Sequence, residues 1–473
     1  MTKAVVDIET DSLNATKIHC IVAKHYYSNQ ERCWIGDECK DFANWSKGIS
    51  EFVMHNGISF DAPVLNRLTG SNIKLNQIRD TLIESQLYNP IRDGGHSLES
   101  WGERLNYNKG NFTEFSEYSD NMLEYCKRDV ELTRRLSVKL QEEGKNFSSQ
   151  AYEIERKVRS IVDKQQQNGF ALNIKEAMLL QAELLDEQYN LERQADETFP
   201  PKEIQLKTKV KYVPFNIASR KQIAERLIEK GWKPDKHTDK GNIIVSEEVL
   251  SKIKDIPEAE MFSRYFLLQK RTGLLKSWIQ ECQEDERVRG KVLTLRTVTG
   301  RMAHHGPNMA QVPAIYSPYG KECRSLWTVS NTDTHSLVGT DASGLEIRCL
   351  AHYMDNAKFT DIVLSGDVHT ANQQAAGLKT RDQAKTFIYA FLYGAGAAKI
   401  GKIVGGDADV GQRLISKFLS NMSALKVLRE NIQERIKDHD TIRGLDGRML
   451  YIRSPHAALN TLIQGAGAII CKQ

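Results

Sequence analysis

The run KAVVDIET (3–10) is apolar until acids close it, the pattern of a short buried strand. CIVAKHYY (20–27) follows with the alternation of a second strand, and FVMHNGIS (52–59) predicts a third. Helical periodicity then dominates from Leu98 to Leu140, closing an α/β unit of about 145 residues. QEEGKNFSSQ (141–150) reads as a linker. Long amphipathic helices are expected around 150–195 and 245–285. The proline-punctuated FPPKEIQLKTKVKYVPFN (199–216) between them has no helical period. SLVGTDASGLEIRCLAHYM (336–354) predicts a strand, a turn and a helix start, and most of the chain from Arg381 onward predicts helix. No internal repeat or low-complexity tract interrupts this order.

Composition narrows the class. The chain has 473 residues, 40% hydrophobic and 27% charged, enough for two to four globular domains. MTKAVVDIETD lacks the apolar core of a signal peptide, and no run of about 18 apolar residues predicts a membrane span. Eight scattered cysteines, none in a Cys-x-x-Cys pair, read as reduced cytosolic thiols. The net charge is only +4, but Lys202 to Lys240 holds eleven Lys and Arg against five Asp and Glu. Such a run is either a solvated basic surface or one facing phosphates.

Candidate chemistry begins at Asp7 and Glu9, two apart and therefore on one face of the first strand. Alone, they are equally compatible with a solvated strand end. HNGISFDAPVL adds Asp61 after a glycine turn, and YCKRDVELT places Tyr125 one helical turn before Asp129. Asp7, Glu9, Asp61 and Asp129 could together hold two divalent ions, with Tyr125 aligning a water for phosphodiester hydrolysis. In this order DIET, HNGISFD and YCKRD resemble the three motifs of DnaQ-type 3′→5′ exonucleases; RDTL (Asp80) and HSLESWGERL between the last two also fit. The resemblance implies an RNase H-like fold that proofreads a single-stranded DNA end.

A second constellation lies further on. TVTGRMAHHGPNMAQVP carries Arg301, Asn308 and Gln311; VGTDASGLEIR carries Asp341, Ala342 and Glu346; SGDVHT carries His369. In RDQAKTFIYAFLYGAG the residues Arg381, Lys385, Tyr389 and Tyr393 stand four apart, on one slowly winding helix face about 18 Å long. His456, Asn460 and Gln464 repeat that spacing near the end. GAGAAKIGKI mimics a P-loop but follows a helix, with Ile403 where Mg²⁺ would need a hydroxyl. His304 and His305 lack a metal-binding partner at suitable spacing.

This set resembles family A DNA polymerases, nearest the replicative enzymes of short-tailed phages. DASGLEIRCLAH is similar to the palm's motif A, RDQAKTFIYAFLYGAG to the fingers' motif B, and SPHAALNTLIQ to the palm helix that tracks primer–template. The resemblance implies an incomplete right-hand polymerase behind the exonuclease. The expected segments are 1–145 exonuclease, 146–290 connection and thumb, 291–355 palm, 356–440 fingers and 441–473 palm helix. Arg381 and His369 are then phosphate contacts, Lys385 neutralises charge at the transferring phosphate, and Tyr389 covers sugar and base. Glu346 becomes the sugar gate. Asp341, with the Ala342 carbonyl, becomes a metal ligand. Arg301, Asn308, Gln311, Tyr393, His456, Asn460 and Gln464 become DNA contacts. The implied cofactor is Mg²⁺, with Mn²⁺ as a substitute.

Two departures from the family shape the expectations. The 199–216 stretch is too short to be the thumb insertion that recruits a thioredoxin clamp, so thioredoxin is not an expected partner and the basic run is expected to meet the duplex directly. The His-Asp-Glu hairpin of motif C is absent before GAIICKQ, and the HDT at 439–441 is no substitute. The chain is therefore expected to be truncated or split, with a second polypeptide as the candidate source of motif C. Primer–template and dNTPs are the expected ligands, and a phage helicase–primase and single-strand binding protein are compatible partners. The location is the cytoplasm of an infected bacterium. The alternative is a chain that alone is a metal-dependent exonuclease and primer–template binder. A non-enzymatic DNA-binding module fits the intact carboxylates less well.

Overall fold

The computed structural model describes residues 2–205, 210–238 and 240–473. They form two compact units: Met1–Gln165, Val292–Ala303 and Thr340–Gln473 make the first, and Gln166–Lys291 and His304–Gly339 the second. The first unit gathers stretches from three parts of the chain.

In the first unit a five-stranded sheet runs in the order β3-β2-β1-β4-β5, with β1 Lys3–Thr10, β2 Ile18–His25, β3 Glu31–Ile35, β4 Glu51–Met54 and β5 Ile78–Asp80. β1 pairs antiparallel with β2 and parallel with β4, so the sheet is mixed. Alternation along β1 fixes its two faces. Ala4, Val6 and Ile8 join one core with Phe52, Met54 and Leu65, while Val5 joins Met122, Cys126 and Val130 on the Asp120–Glu143 helix. Asp7 and Glu9 share the register of Val5 and so face that helix.

The rest of the first unit is mainly helical, around a core built from the helices Leu345–Met354, Arg381–Leu392 and Ala458–Lys472. In the second unit the helices Ile174–Thr198 and Glu258–Glu281 pack on each other, beside a small sheet ordered Trp327–Thr328, Phe170–Leu172, Arg287–Val288. Among the described residues no helix is long and apolar enough to cross a membrane.

Several sequence expectations need correction. β3 and β5 were not expected, because five and three residues give too little alternation to read. The helical stretch 98–140 is two helices, Leu98–Arg104 and Asp120–Glu143, separated by an irregular segment. The linker at 141–150 is a tight 3-10 turn, Gly144–Asn146, between helices. The expected helix over 150–195 is Ser149–Asn168 and Ile174–Thr198 with a strand between them, and that over 245–285 is Glu247–Leu250 and Glu258–Glu281. Within the 199–216 stretch, Lys202–Gln205 pairs antiparallel with Val210–Val213. The strand expected before Asp341 is absent: Leu337 and Val338 are 55% and 85% exposed, and a strand forms only where a neighbour completes its hydrogen bonds.

The basic run is also less free than its charge suggests. Lys202 pairs with Glu229 at 2.5 Å, Arg226 with Glu229 at 3.4 Å and Lys236 with Glu248 at 3.3 Å, and Lys230 is held by Glu258. Lys207, Lys209 and Asp239 of that run lie outside the described residues.

Candidate functional site

The first site is built at the end of β1. Asp7 and Glu9 reach it from the strand, Asp61 from the first position of the Asp61–Thr69 helix, and Asp129 and Tyr125 from the Asp120–Glu143 helix. Asp80 shapes the loop carrying Asp61. Its carboxylate accepts from the Asn56 and Ile58 backbone N–H groups at 3.0 and 3.1 Å and also caps the following helix at Leu82. Gly57 lets this loop approach β4: a Cβ there would lie 2.3 Å from Cβ of Met54.

Electrostatics bind these acids into one group. Burial raises Asp7 well above the carboxylate range, and the charges of Asp61, Asp129 and Glu9 raise it further. Glu9 is pushed up to about 8 by burial and then by Asp129. Asp61 rises to about 7, again chiefly through burial, against stabilisation by backbone N–H groups. Like charges in a dry site need a cation. Oδ1 of Asp129 is buried without a hydrogen-bond partner among the described residues. Oxygen donors of this kind suit Mg²⁺ or Mn²⁺, so the residues present fit the implied ions.

Two residues that sequence reasoning missed complete the site. Lys109 Nζ lies 2.8 Å from Oδ2 of Asp129 and 5.0 Å from the centre of the Tyr125 ring. Burial opposes its charge, but Asp129 and a hydrogen bond to Tyr125 outweigh that and keep it protonated. Lys109 sits in the irregular segment 105–119, where no periodicity could have marked it. Cys126 has its sulfur within 4.8 Å of ligand atoms of Asp7 and Glu9. Burial raises its thiol, so it donates to Asp7 as an S–H and is not a soft metal ligand.

The second site surrounds the Arg381–Leu392 helix. Thr380 and Gln383 form a capping box at its start. Ala384, Phe387, Ile388 and Phe391 are buried, which turns Arg381, Lys385 and Tyr389 outward on the opposite face. Tyr393 is the C-cap residue, 47% exposed, with its ring 6.2 Å from that of Tyr389. The Tyr389 ring lies 6.3 Å from His369 on the Val368–Ala376 helix. Burial lowers His369, and the charges of Arg381 and Lys385 act in the same direction. Burial and then the negative charge of Glu346 raise both Tyr389 and Tyr393.

Glu346, Arg301 and Gln464 line one cavity of about 260 Å³, with Met302, Leu345 and Lys472. Arg301 follows a tight turn at Gly300, whose φ of +74° favours glycine; a Cβ there would also meet the Arg448 guanidinium at 2.8 Å. Asn460 and Gln464 stand on the Ala458–Lys472 helix. His456 precedes it in a 3-10 turn, so the three do not share one α-helical face; its carbonyl instead packs against Gly394, just past Tyr393. Asn308 and Gln311 belong to the second unit, where Asn308 caps a 3-10 turn by accepting from the Ala310 N–H. Asp341 and Ala342 are exposed before the Leu345–Met354 helix, and among the described residues no metal-binding cluster forms around Asp341.

Comparison with known proteins gives a consistent result. Residues 183–473 match the family model described as DNA polymerase family A, and residues 2–145 match that of a 3'-5' exonuclease. The chain is 33% identical over 630 aligned residues to the DNA-directed DNA polymerase of Escherichia phage T7, covering 99% of this chain and 88% of that one. The corresponding polymerase of Enterobacteria phage T3 is 32% identical over the same coverage. Among solved structures, the POL domain of Pol1 from M. smegmatis, in complex with DNA primer-template and dNTP, aligns with a TM-score of 0.78. It covers 100% of this chain and 83% of that chain at 15% identity, a likeness of fold.

Proposed function

Because the chain belongs to DNA polymerase family A and carries a 3′–5′ exonuclease domain, we propose that it is a template-directed DNA polymerase that proofreads its own product in viral DNA replication. The observation that carries this reading is the convergence of Asp7, Glu9, Asp61 and Asp129 beside Tyr125 in the same chain as the Arg381–Tyr393 face. On this reading residues 1–145 are the exonuclease domain, 146–290 the connection and thumb, and 291–473 the palm and fingers. The enzyme works in the cytoplasm of an infected bacterium.

In the exonuclease the four carboxylates would hold the ions, and the Tyr125 hydroxyl would orient the attacking water. Divalent ions bound there supply Lewis-acid stabilisation of the leaving oxygen and a nucleophile at neutral pH. In the polymerase the primer 3′-hydroxyl attacks the α-phosphate of a dNTP, joining to it as pyrophosphate leaves. Arg381 and His369 hold the phosphates, and Lys385 offsets the charge that develops during transfer. Tyr389 covers the sugar and base, and Glu346 fills the space a 2′-hydroxyl would need. Asp341 and the Ala342 carbonyl would hold an ion, while Arg301, Asn308, Gln311, Tyr393, His456, Asn460 and Gln464 contact primer–template.

One observation favours a second reading of the chain acting alone. Asp341 is exposed, and no cluster of acids surrounds it among the described residues. Two-metal transfer needs both attacking and leaving oxygens clamped. On this reading the isolated chain degrades DNA ends and binds primer–template, and synthesis needs a further acid, for which a second polypeptide is one source. Primer extension with excess dNTP and Mg²⁺, using Asp7→Ala with Glu9→Ala to silence degradation, separates the two. Robust synthesis supports the first reading; binding without synthesis supports the second.

A further inference from the structure

Asp367 was not among the residues expected from sequence, yet its carboxylate receives five hydrogen bonds among the described residues. It is the N-cap of the Val368–Ala376 helix. Three of its bonds come from that helix: Oδ1 accepts from the backbone N–H groups of His369 at 3.0 Å and Thr370 at 3.4 Å, and Oδ2 accepts from the Thr370 hydroxyl at 2.8 Å. The other two come from Arg381, fourteen residues on, with Nε 2.7 Å from Oδ2 and Nη2 3.2 Å from Oδ1.

The two sets differ in kind. The helix bonds are local and fix the carboxylate whatever Arg381 does. The Arg381 bonds rest on a long side chain at the edge of another helix, and both partners are about half exposed, at 53% and 44%. A dissolved anion can therefore reach the guanidinium and compete for it. The same fork of donors that grips a carboxylate side-on also fits a phosphate. Asp367 is thus a fixed anion, Arg381 is the partner that can leave, and His369 stands next to both.

We infer that Asp367 occupies the terminal-phosphate seat of the free enzyme, and that an incoming triphosphate binds by taking Arg381 from it. This inference rests on the nucleotide-binding reading of the Arg381 face. Its consequence is a threshold: a ligand gains Arg381 only if its phosphates outcompete a resident carboxylate, so ligands without a phosphate at that place gain nothing. Asp367 thus sets how tightly a triphosphate binds, through a competition for Arg381 that a ligand without phosphates does not enter.

The test removes the charge and keeps the helix cap. Asp367→Asn retains an acceptor for the His369 and Thr370 N–H groups, and Asp367→Ser caps equally well through its hydroxyl. Both are made in the full chain with Asp7→Ala and Glu9→Ala, bound to primer–template. Binding of the complementary dNTP and of the corresponding deoxynucleoside is measured by calorimetry with Ca²⁺, beside Arg381→Ala. Loss of an exposed competing pair should tighten the dNTP by about two- to fivefold and leave the deoxynucleoside unchanged. Adding Arg381→Ala to Asp367→Asn should abolish the gain. Unchanged or weaker dNTP binding in both Asp367 variants, with Arg381→Ala still weakening it, overturns the inference and makes Asp367 a residue that orients Arg381. If Arg381→Ala has no effect on dNTP binding, the nucleotide reading of this face falls and takes the inference with it.

Discussion

Nζ of Lys472 lies 2.7 Å from each carboxylate oxygen of Glu155 and 2.8 Å from the carbonyl of Thr294. Arg448 Nη1 reaches the same carboxylate at 2.8 Å and is itself bound by Asp446. All four charged groups are buried, and Lys472 also forms part of the wall of the Arg301–Glu346–Gln464 cavity. The cluster joins the Ser149–Asn168 helix to the helix proposed to track DNA. Two acids and two bases balance, so removing one member strands an opposite charge in the interior.

Glu155→Ala should therefore lower unfolding free energy by about 3–5 kcal/mol, the range for breaking a buried pair. Glu434→Ala, which breaks an exposed pair with Lys437, should change it by less than about 1 kcal/mol. Denaturant titration of both variants checks the contrast; equal effects would mean that the buried cluster adds nothing.

Metal removal should act through pH with a defined sign. In the metal-free folded chain Glu9 holds its proton up to about 8 and Asp61 to about 7, against ordinary values of 4.5 and 3.8. The folded state then binds more protons than the unfolded one between those limits. This contribution is complete below about pH 4 and is lost as pH rises through 7 and 8. Mg²⁺ replaces the protons, so its stabilisation should be larger at about pH 8.5 than at about pH 5.5. Melting temperatures with chelator and with Mg²⁺ at the two pH values test this, and a larger Mg²⁺ effect in acid would contradict it.

Asp7→Ala with Glu9→Ala should abolish degradation of single-stranded DNA and leave duplex binding nearly unchanged. Gly57→Ala should reduce the same activity in part, because the added methyl meets Met54 and shifts the loop that carries Asp61. Overpacking of this kind also lowers stability by about 1–3 kcal/mol. Gel assays of end-labelled single strands, beside a duplex-binding measurement, read both effects.

Sugar selection should follow Tyr389 and Glu346. With polymerase activity present, Tyr389→Phe should make dideoxynucleotides poorer substrates, and Glu346→Ala should admit ribonucleotides more readily. Incorporation ratios for matched pairs of nucleotides measure each effect; if neither ratio moves, the two residues do not face the sugar.

The parts of these sites legible in sequence were those on regular elements. Asp7 and Glu9 could be placed on one face because a strand has period two, and Arg381, Lys385 and Tyr389 because a helix repeats near four. Lys109 escaped because nothing in an irregular segment predicts which acid a lysine will meet. Cys126 stood in view as a neighbour of Tyr125, but its contact with Asp7 depends on how the helix docks against β1. Asp367 carried a readable signal, an aspartate at the start of a helix, but its second partner came from another helix. The expected strand before Asp341 shows the opposite failure: an apolar run records a propensity, and pairing depends on a neighbour that the run does not encode.

The Glu155 cluster also sets an order of events during synthesis. Glu155 emerges from the ribosome 317 residues before Lys472, its nearest cationic partner. Arg448 arrives first but is shared with Asp446, so until that lysine follows, burying Glu155 leaves one acid of the cluster without a cation. The β1–β5 sheet has its own cores and can assemble early, but its junction with the following helices must wait for the last turn of the Ala458–Lys472 helix. A nascent chain stalled shortly before Lys472 should thus hold a folded sheet beside an unfinished junction, a state in which chaperones or proteases would find the protein most accessible.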